Sequence, residues 1–275
     1  MKRAALLALA LLSLPTHAGL GGSFLSCTLG CGFAIINGDG ACGDGCPVQW
    51  PTDPAPGACP DLPGSPSHIW EARRESFSDG SNPTSLTDYG TIGTTLTQGT
   101  AGSRGTYRAS GGPGNRPFFS LDGGDFWKSA AEATNLAQPN TFVLVISTNS
   151  TGAFTFLDSF DSSPRTRIGT ASVNAPWQLQ SASTVLAANN TVVGGQWELI
   201  VGTTNGASSS LRISGIEMAT GDAGSAAYGA GTLGANFSGA SGLNGGVALA
   251  AIYDTPPDIA ALEAAIEDCY GSFPQ

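Results

Sequence analysis

The sequence predicts an all-β protein, a sandwich or a barrel of short strands, that ends in one helix. Apolar segments bounded by turn residues recur from His68 to Asp254, a spacing typical of such folds. The chain contains 39 glycines, which suits a protein with many tight turns. After Asp254 the apolar residues adopt the period of a helix.

The longest apolar run, residues 141–148, reads TFVLVIST. β-Branched and aromatic residues fill almost every position, so we expect a central strand that is buried on both faces. Residues 153–157 follow Gly152 and place Phe154 and Phe156 on one face. We predict a hairpin between these two segments.

Residues 107–127 predict another strand between two turns and read YRASGGPGNRPFFSLDGGDFW. Glycine and asparagine at 111–115 supply positive φ angles before the apolar strand at 117–121, and the Asp-Gly-Gly-Asp sequence at 122–125 ends it. The glycine-rich part precedes a strand rather than a helix and carries no lysine, so it is not typical of a phosphate loop. We interpret the stretch as scaffold.

Seven further segments bring the total to roughly ten strands. They are residues 69–77, 86–97, 165–172, 177–180, 196–202, 211–215 and 245–254. In the last segment, simple alternation predicts a shared face for Val247, Leu249, Ala251 and Tyr253.

The C-terminal helix is predicted to begin after Asp258, a capping residue preceded by two prolines. Ile259, Leu262 and Ile266 form its apolar stripe, and Cys269 lies on the same stripe. We expect Cys269 to face the domain and to pair with Cys59, which would tie the two ends of the domain together.

The N-terminal region divides into two segments before the predicted sandwich at 68–275. Residues 1–18 have the layout of a secretory signal peptide, with Lys2 and Arg3 before an apolar run, and we expect cleavage after Ala18. Residues 19–67, rich in Cys, Gly and Pro, are predicted to form a disulfide-stapled appendage and linker.

All six cysteines follow the leader: Cys27, Cys31, Cys42, Cys46, Cys59 and Cys269. An even number in an exported chain predicts disulfides, although six cysteines allow 15 pairings. A zinc site made from the first four is the alternative that their spacing leaves open.

The charge balance argues against several partners. The chain carries 11 basic and 21 acidic residues, a net charge of −10. Such a chain is not suited to binding nucleic acid or an anionic membrane. Beyond the leader there is no apolar segment long enough to span a bilayer, so we expect no membrane insertion.

Three segments in order carry a family resemblance. They read AGSRGTYRASGGPGNRPFFSLDGGDFW, GQWELIVGTTNGASSSLRISGIEM and LGANFSGASGLNGGVALAAIYD. In this order they resemble the concanavalin A-like lectin/glucanase superfamily, in its LamG-like (laminin G, pentraxin-like) branch, from His68 to Tyr270. The resemblance implies a two-sheet antiparallel jelly roll. It does not name a ligand, because the superfamily includes lectins, glycan hydrolases, adhesion modules and virion surface domains.

The residues do not supply a catalytic set. The E-x-D-x-x-E arrangement that the resemblance would imply for a glucanase is missing, and Glu198 and Glu217 stand singly on strands. His68 is the only histidine after the leader, and no G-x-S-x-G elbow lies near it. We therefore predict no enzymatic activity and no catalytic residue.

The candidate ligand-binding residues lie in residues 158–177. They are Asp158, Asp161, Arg165, Arg167, Asn174 and Trp177. Aromatic faces and planar polar groups are what sugar rings need, although Trp177 is equally suited to a sandwich core. Calcium held by Asp158 or Asp161 is a cofactor that the LamG-like resemblance allows.

We therefore expect a secreted or cell-surface, non-enzymatic module that binds a glycan or a surface protein through its loops. The alternatives are a structural or adhesion component of a cell surface or virion, and a divergent glycan hydrolase.

Overall fold

The computed structural model describes residues 59–130, 135–149, 153–160, 162, 165–170, 175–189, 192–229 and 231–275. The chain divides into two units, residues 1–55 and 56–275, and the described residues belong to the second. The predicted leader and the cysteines from Cys27 to Cys46 lie outside the described residues.

The described residues form short strands and one α-helix. In chain order they are β1 (His68–Glu71), β2 (Ser85–Leu86), β3 (Leu96–Thr97), β4 (Thr106–Arg108), β5 (Phe118–Asp122), β6 (Trp127–Ser129), β7 (Asn135–Leu136), β8 (Asn140–Thr148), β9 (Phe154–Asp158), β10 (Thr166–Thr170), β11 (Trp177–Ser181), β12 (Thr184–Ala187), β13 (Trp197–Thr204), β14 (Ser209–Ile213), β15 (Ile216–Gly221), β16 (Tyr228–Gly229), β17 (Thr232–Leu233), β18 (Asn244–Tyr253) and α1 (Ile259–Tyr270).

Two large antiparallel sheets face each other. The first has the order β15-β14-β13-β8-β18-β5-β4, with β1 also paired to β18, and the second has the order β12-β11-β10-β9-β17-β6-β3-β2. A small ribbon pairs β16 with β7. The predicted fold class, an all-β two-sheet sandwich with a short C-terminal helix, is confirmed.

The strand β8 is central, as predicted. It lies between β13 and β18 and is buried along almost its whole length. Phe142, Leu144 and Ile146 point into the core between the sheets, whereas Val143 and Val145 belong to a second apolar cluster on the other face. A continuous apolar run forms here because both faces of the strand are covered.

The helix α1 covers the outer face of the first sheet. Leu262, Ile266 and Cys269 pack in the same cluster as Val143 and Val145. The helix begins after Asp258, whose side chain accepts hydrogen bonds from the backbone of the first turn. Among the described residues no helix is long and apolar enough to cross a membrane.

The predicted disulfide between Cys59 and Cys269 is present. It fastens the end of α1 to a segment that sequence analysis assigned to the linker. That segment packs on the sandwich: Leu62 is buried, and Pro63 accepts a hydrogen bond from the Tyr253 hydroxyl at 3.1 Å.

The predicted hairpin between β8 and β9 is wrong. The strand β8 pairs with β13 and β18 in the first sheet, whereas β9 pairs with β10 and β17 in the second. Both strands direct phenylalanines into the same core, but they do so from opposite layers. Apolar alternation gives the buried face of a strand and not the sheet to which it belongs.

The predicted common face of β18 is also partly wrong. A bulge shifts the register against β8 between Val247 and Leu249. Val247 therefore points into the core between the sheets, whereas Leu249, Ala251 and Tyr253 lie under α1. One extra residue in a strand reverses the alternation that follows it.

The strand predicted at 69–77 ends at Glu71, where a short 3-10 turn begins. The buried Glu71 carboxylate accepts hydrogen bonds from Arg73 at 2.5 Å and Arg74 at 2.7 Å. These two contacts fold the chain back locally and end the strand.

Replacing Cys59 and Cys269 together by serine should lower the free energy of unfolding by about 2–5 kcal/mol, because the bond restricts a long loop of the unfolded chain. The two residues are 210 positions apart. Guanidinium unfolding of the two proteins without reductant measures the difference. An unchanged midpoint and slope, with an unchanged near-ultraviolet circular dichroism spectrum, would contradict this role for the bond.

Candidate functional site

A polar pocket opens at the edge of the first sheet, where β5 ends and the antiparallel edge strand β4 begins. Its volume is about 260 Å³. It is lined by Asn82, Ala101, Gly102, Arg104, Thr106, Ser120, Leu121, Asp122 and Asp125. We call it the edge pocket. Of the ligand-binding residues predicted from the sequence, the four that the structure describes, Asp158, Arg165, Arg167 and Trp177, do not line it.

The acidic wall of the edge pocket is the turn that follows β5. The backbone turns at Gly123, which has a positive φ angle of 97°. Asp122 Oδ1 accepts a hydrogen bond from the Gly124 amide at 2.8 Å, and Asp125 Oδ2 accepts one from the Asp122 amide at 3.1 Å. These local bonds hold both carboxylates on the same wall.

Each carboxylate has one oxygen to which no described N–H or hydroxyl group donates. Within the described part of the chain, Asp122 Oδ2 and Asp125 Oδ1 accept no hydrogen bond. Asp125 is 6% exposed. Burial raises the pKa of Asp125, the hydrogen bond from the Asp122 amide opposes this shift, and the Asp122 carboxylate raises the pKa through its negative charge and a side-chain interaction.

The opposite wall carries Arg104 and Asn82. Arg104 donates from Nε to the carbonyl of Gln98 at 2.8 Å and from Nη2 to the carbonyl of Gly99 at 2.7 Å. Asn82 Nδ2 donates to the Thr106 hydroxyl at 2.9 Å. Both side chains are therefore held in place before any ligand arrives.

The buried Gln98 joins the two walls. Its side-chain amide donates to the carbonyl of Phe126 at 3.2 Å, and the amide of Phe126 donates to the carbonyl of Ser103 at 3.0 Å. The backbone carbonyl of Gln98 accepts the hydrogen bond from Arg104 Nε. Gln98 thus links Arg104, through its backbone, to the residue after the acidic turn, through its side chain.

Residues 234–243, which we call the strap, support the acidic turn from behind. The backbones approach closely: a Cβ atom at Gly242 would lie 2.3 Å from the carbonyl oxygen of Gly123. A Cβ atom at Gly239 would lie 2.6 Å from the Phe126 ring. Only glycine permits this contact at either position.

Asp158 and Arg165, two of the predicted ligand-binding residues, anchor the strap. Asp158 is fully buried and receives two hydrogen bonds from Arg165 Nε and Nη2, at 2.9 and 2.5 Å. It also accepts the amide of Phe237 at 3.0 Å, while the Arg165 guanidinium lies 4.9 Å from the Phe237 ring centre. The Asp158 carboxylate is therefore enclosed by contacts within the protein and is not exposed to a ligand.

Lys128 adds a third contact to this anchor. Its ammonium donates to the carbonyl of Phe237 at 2.7 Å and lies 4.5 Å from the centre of the Phe160 ring. An ammonium above an aromatic face is attracted by the ring quadrupole. The middle of the strap is thus held through both its amide and its carbonyl.

Trp177, the predicted aromatic platform, lies in the core and is 0% exposed. The alternation along β11 places it with Leu179 between the sheets, and its ring packs edge-on against Phe154. Its Nε1 donates to Glu198 Oε2 at 3.0 Å. A sugar has no access to this ring, so the core interpretation of Trp177 is the correct one.

Arg167 lies on the outer face of the second sheet. Its Nε donates to Gln180 Oε1 at 2.5 Å across the β10–β11 pair. Burial, and then the charge of Arg165, lower the pKa of Arg167. Ligand binding by this residue stays a prediction, and Asp161 and Asn174 lie outside the described residues.

Calcium also stays a prediction. In the described ranges no group of three or more His, Cys, Asp or Glu side chains is placed to hold a metal ion. Of the two aspartates suggested for calcium, Asp158 is paired with Arg165, and Asp161 is not described.

Glu198 is a carboxyl group inside the sandwich. It is 6% exposed, and burial raises its pKa from 4.5 to about 7, although the hydrogen bond from Trp177 opposes this shift. It does not line the edge pocket. Its surroundings are those of a core residue.

Glu198→Gln should remove a pH dependence of stability. Between pH 4.5 and about 7 the folded protein holds a proton that the unfolded chain has released, so the free energy of unfolding falls as the pH rises through this window. The total change is about 3 kcal/mol. The introduced glutamine side chain stays neutral and still accepts the Trp177 hydrogen bond, so the variant should be the more stable protein at pH 8.

Urea unfolding at a series of pH values measures this effect. Because other groups titrate as well, the informative quantity is the difference between the two proteins. A difference that stays constant from pH 4 to pH 8 would show that Glu198 has an ordinary pKa.

No protein-family model and no curated protein matches the chain. Among solved structures, a mutant GH54 α-L-arabinofuranosidase soaked with 4-nitrophenyl α-L-arabinofuranoside is similar, with a TM-score of 0.55 and 10% identity over 76% of this chain and 60% of that chain. The chain therefore spans about 60% of the length of that enzyme.

Two other similar structures are smaller proteins or domains. A heptameric SAP-like pentraxin from Limulus polyphemus has a TM-score of 0.38 and 12% identity over 50% of this chain and 73% of that chain. Domain 4 of a GH43 extracellular arabinanase from Geobacillus stearothermophilus, in complex with arabinotriose, has a TM-score of 0.42 and 14% identity over 74% of this chain and 98% of that chain. The likeness to the arabinofuranosidase shows a shared β-sandwich fold, in agreement with the fold that the sequence resemblance implies.

Proposed function

We propose that the protein is a non-enzymatic carbohydrate-recognition module and that the edge pocket is its binding site. The observation that supports this most is the pairing of two carboxylates, Asp122 and Asp125, each with a free oxygen, on one wall of a pocket. The other walls add an amide and two hydroxyl groups, from Asn82, Thr106 and Ser120.

These groups suit the chemistry of sugars. A sugar presents several hydroxyl groups in a fixed arrangement, and a carboxylate oxygen accepts their hydrogens in charge-assisted hydrogen bonds. The bonds made by Gln98 and the strap hold the groups on a rigid sandwich edge, which reduces the entropy lost on binding. A small number of fixed polar groups in a concave site is typical of ligand pockets.

The position of the carboxylates favours binding over hydrolysis. Glycoside hydrolases place an acid and a second carboxylate on either side of the scissile bond, about 5–9.5 Å apart. Asp122 and Asp125 lie on the same wall, and backbone amides of their own turn occupy one oxygen of each. Glu198 lies in the core. A fold shared with an arabinofuranosidase does not by itself carry an activity.

We further propose that the protein is secreted or displayed at a cell surface. The predicted leader and the Cys59–Cys269 disulfide support this location, because disulfides persist in oxidising compartments. Its partner would then be a glycan of the medium or of another cell.

A glycan array and calorimetric titration of the full chain test the proposal. Asp122→Asn should weaken binding about tenfold or more, because a hydrogen bond to a charged group contributes roughly 1.5–3 kcal/mol. The introduced asparagine side chain still accepts the Gly124 amide, so the turn is kept. Asp222→Asn is a matched control: Asp222 Oδ1 accepts the Gly224 amide at 2.7 Å in the same local geometry, outside the edge pocket.

Three results would contradict the proposal. If wild type binds no glycan, with or without calcium, a structural role at a cell surface or virion becomes the better interpretation. Equal losses of glycan affinity in Asp122→Asn and Asp222→Asn would show that the binding site is not the edge pocket. Release of reducing sugar by wild type, and not by Asp125→Asn, would show a hydrolase.

A further inference from the structure

We infer that the edge pocket selects a neutral sugar residue and rejects acidic sugars such as uronic acids, sialic acids and sulfated sugars. This inference rests on the proposed function and names its ligand class. It follows from three features of the pocket: which hydrogen-bonding atoms are still free, how charge is distributed, and how large the cavity is.

The acidic wall and Asn82 present free acceptors to the pocket. Asp122 Oδ2 and Asp125 Oδ1 are carboxylate oxygens, and the side-chain oxygen of Asn82 accepts no hydrogen bond from the described residues. The side-chain amide of Asn82 already donates to Thr106. A ligand must therefore supply hydrogen-bond donors, as sugar hydroxyls do, whereas a carboxylate or sulfate group supplies none.

Arg104 is the one cation among the described residues of the lining, and part of its guanidinium is bound to the backbone. Arg104 donates one hydrogen bond from Nε to the carbonyl oxygen of Gln98 and one from Nη2 to that of Gly99. These bonds occupy the Nε–Nη2 edge of the guanidinium, so that edge is not available to bind a carboxylate or sulfate through two parallel hydrogen bonds. The positive charge of Arg104 lies in the same pocket and partly offsets the charge of the acidic wall.

The charge of the acidic wall opposes a further anion. Asp125 is nearly buried, and the Asp122 charge already disfavours its ionised form. An acidic ligand would place a third negative charge beside these two in a partly desolvated site, and like charges brought together at an interface cost several kcal/mol. A neutral hydroxyl group brings no charge to the acidic wall, so its binding carries no such electrostatic cost.

The size of the cavity favours one sugar ring. Its 260 Å³ lies below the range of about 300–1,000 Å³ that is usual for sites of drug-sized ligands. A terminal residue of a glycan, or a monosaccharide, fits such a space, and the rest of a longer chain would remain in solvent.

The test compares three oligosaccharides that are identical except for the terminal residue: glucose, glucuronic acid or glucosamine. Glucose and glucuronic acid differ only in a hydroxymethyl group that becomes a carboxylate. If the glycan array identifies another neutral hexose as the ligand, that hexose replaces glucose. The uronic acid and the amino sugar derived from it then replace glucuronic acid and glucosamine. Titration of the full chain at pH 7 should give at least about tenfold weaker binding of the uronic acid.

Asp125→Asn provides the second measurement. It removes one negative charge while its side-chain oxygen can still accept the Asp122 amide, so it should narrow the gap between the neutral and acidic sugars about tenfold. Asp222→Asn should leave the gap unchanged. Thermal unfolding and circular dichroism of each variant establish that the fold is kept.

Each alternative outcome overturns the inference in a distinct way. Equal or tighter binding of the uronic acid, lost in Arg104→Gln, would show that Arg104 recognises anions, and glycan binding itself would stand. Tighter binding of the amino sugar than of glucose would assign the pocket to cationic sugars. Binding of none of the three, nor of any array glycan, would reject the proposed function together with the inference.

Discussion

Burial of the first sheet on both faces is the constraint on which the rest of this structure depends. The strand β8 sends Phe142, Leu144 and Ile146 into the core between the sheets and Val143 and Val145 under the helix α1. A strand covered on both sides has one stable register, because a slip of one residue would exchange its two apolar faces. The disulfide between Cys269 and Cys59 fastens the end of this helix over the outer face. The central strands thereby form a rigid platform, and residues at the edges of the sheet can form a binding site on it.

The edge pocket is built on this platform from short-range contacts. The acidic turn follows β5, and two bonds within the turn aim its carboxylates. The strap then supports the turn, and the buried Asp158–Arg165 pair anchors the strap. A buried ion pair stabilises a fold only weakly against an apolar replacement, but loss of one partner leaves the other charge uncompensated and is costly. In this protein the pair fixes the middle of the strap together with Lys128. Asp158 and Arg165 therefore matter for the pocket without lining it.

The contrast between Asp158 and Asp122 explains why the candidate site was missed. Both aspartates lie at strand ends beside glycine or serine, and nothing in their neighbourhood distinguishes them in the sequence. The first is enclosed by Arg165 and the strap, which follows it by some 80 positions in the chain, whereas the second keeps an open oxygen. The stretch from Tyr107 to Trp127 was interpreted as scaffold because its glycines and aspartates suit turns. That interpretation is correct for the backbone, but the same turn also forms the acidic wall. A signal was available in the two aspartates three residues apart, but the facing Asn82 and Arg104 come from other loops.

The sequence by itself determined the local features: the all-β class, the doubly buried strand, the helix with its Asp258 cap, and the positive-φ turn positions such as Asn115 and Gly123. The pairing of Cys59 with Cys269 was the preferred one from the sequence, because helix periodicity directs Cys269 toward the domain and Cys59 lies just before the first strand, but neither feature excludes the other pairings. Only the tertiary structure decided which sheet holds β9, how the β18 bulge reverses its faces, and that Trp177 is core. Period and propensity depend on neighbours within a few residues, whereas sheet membership, burial and the assembly of a pocket depend on contacts between segments far apart in the chain.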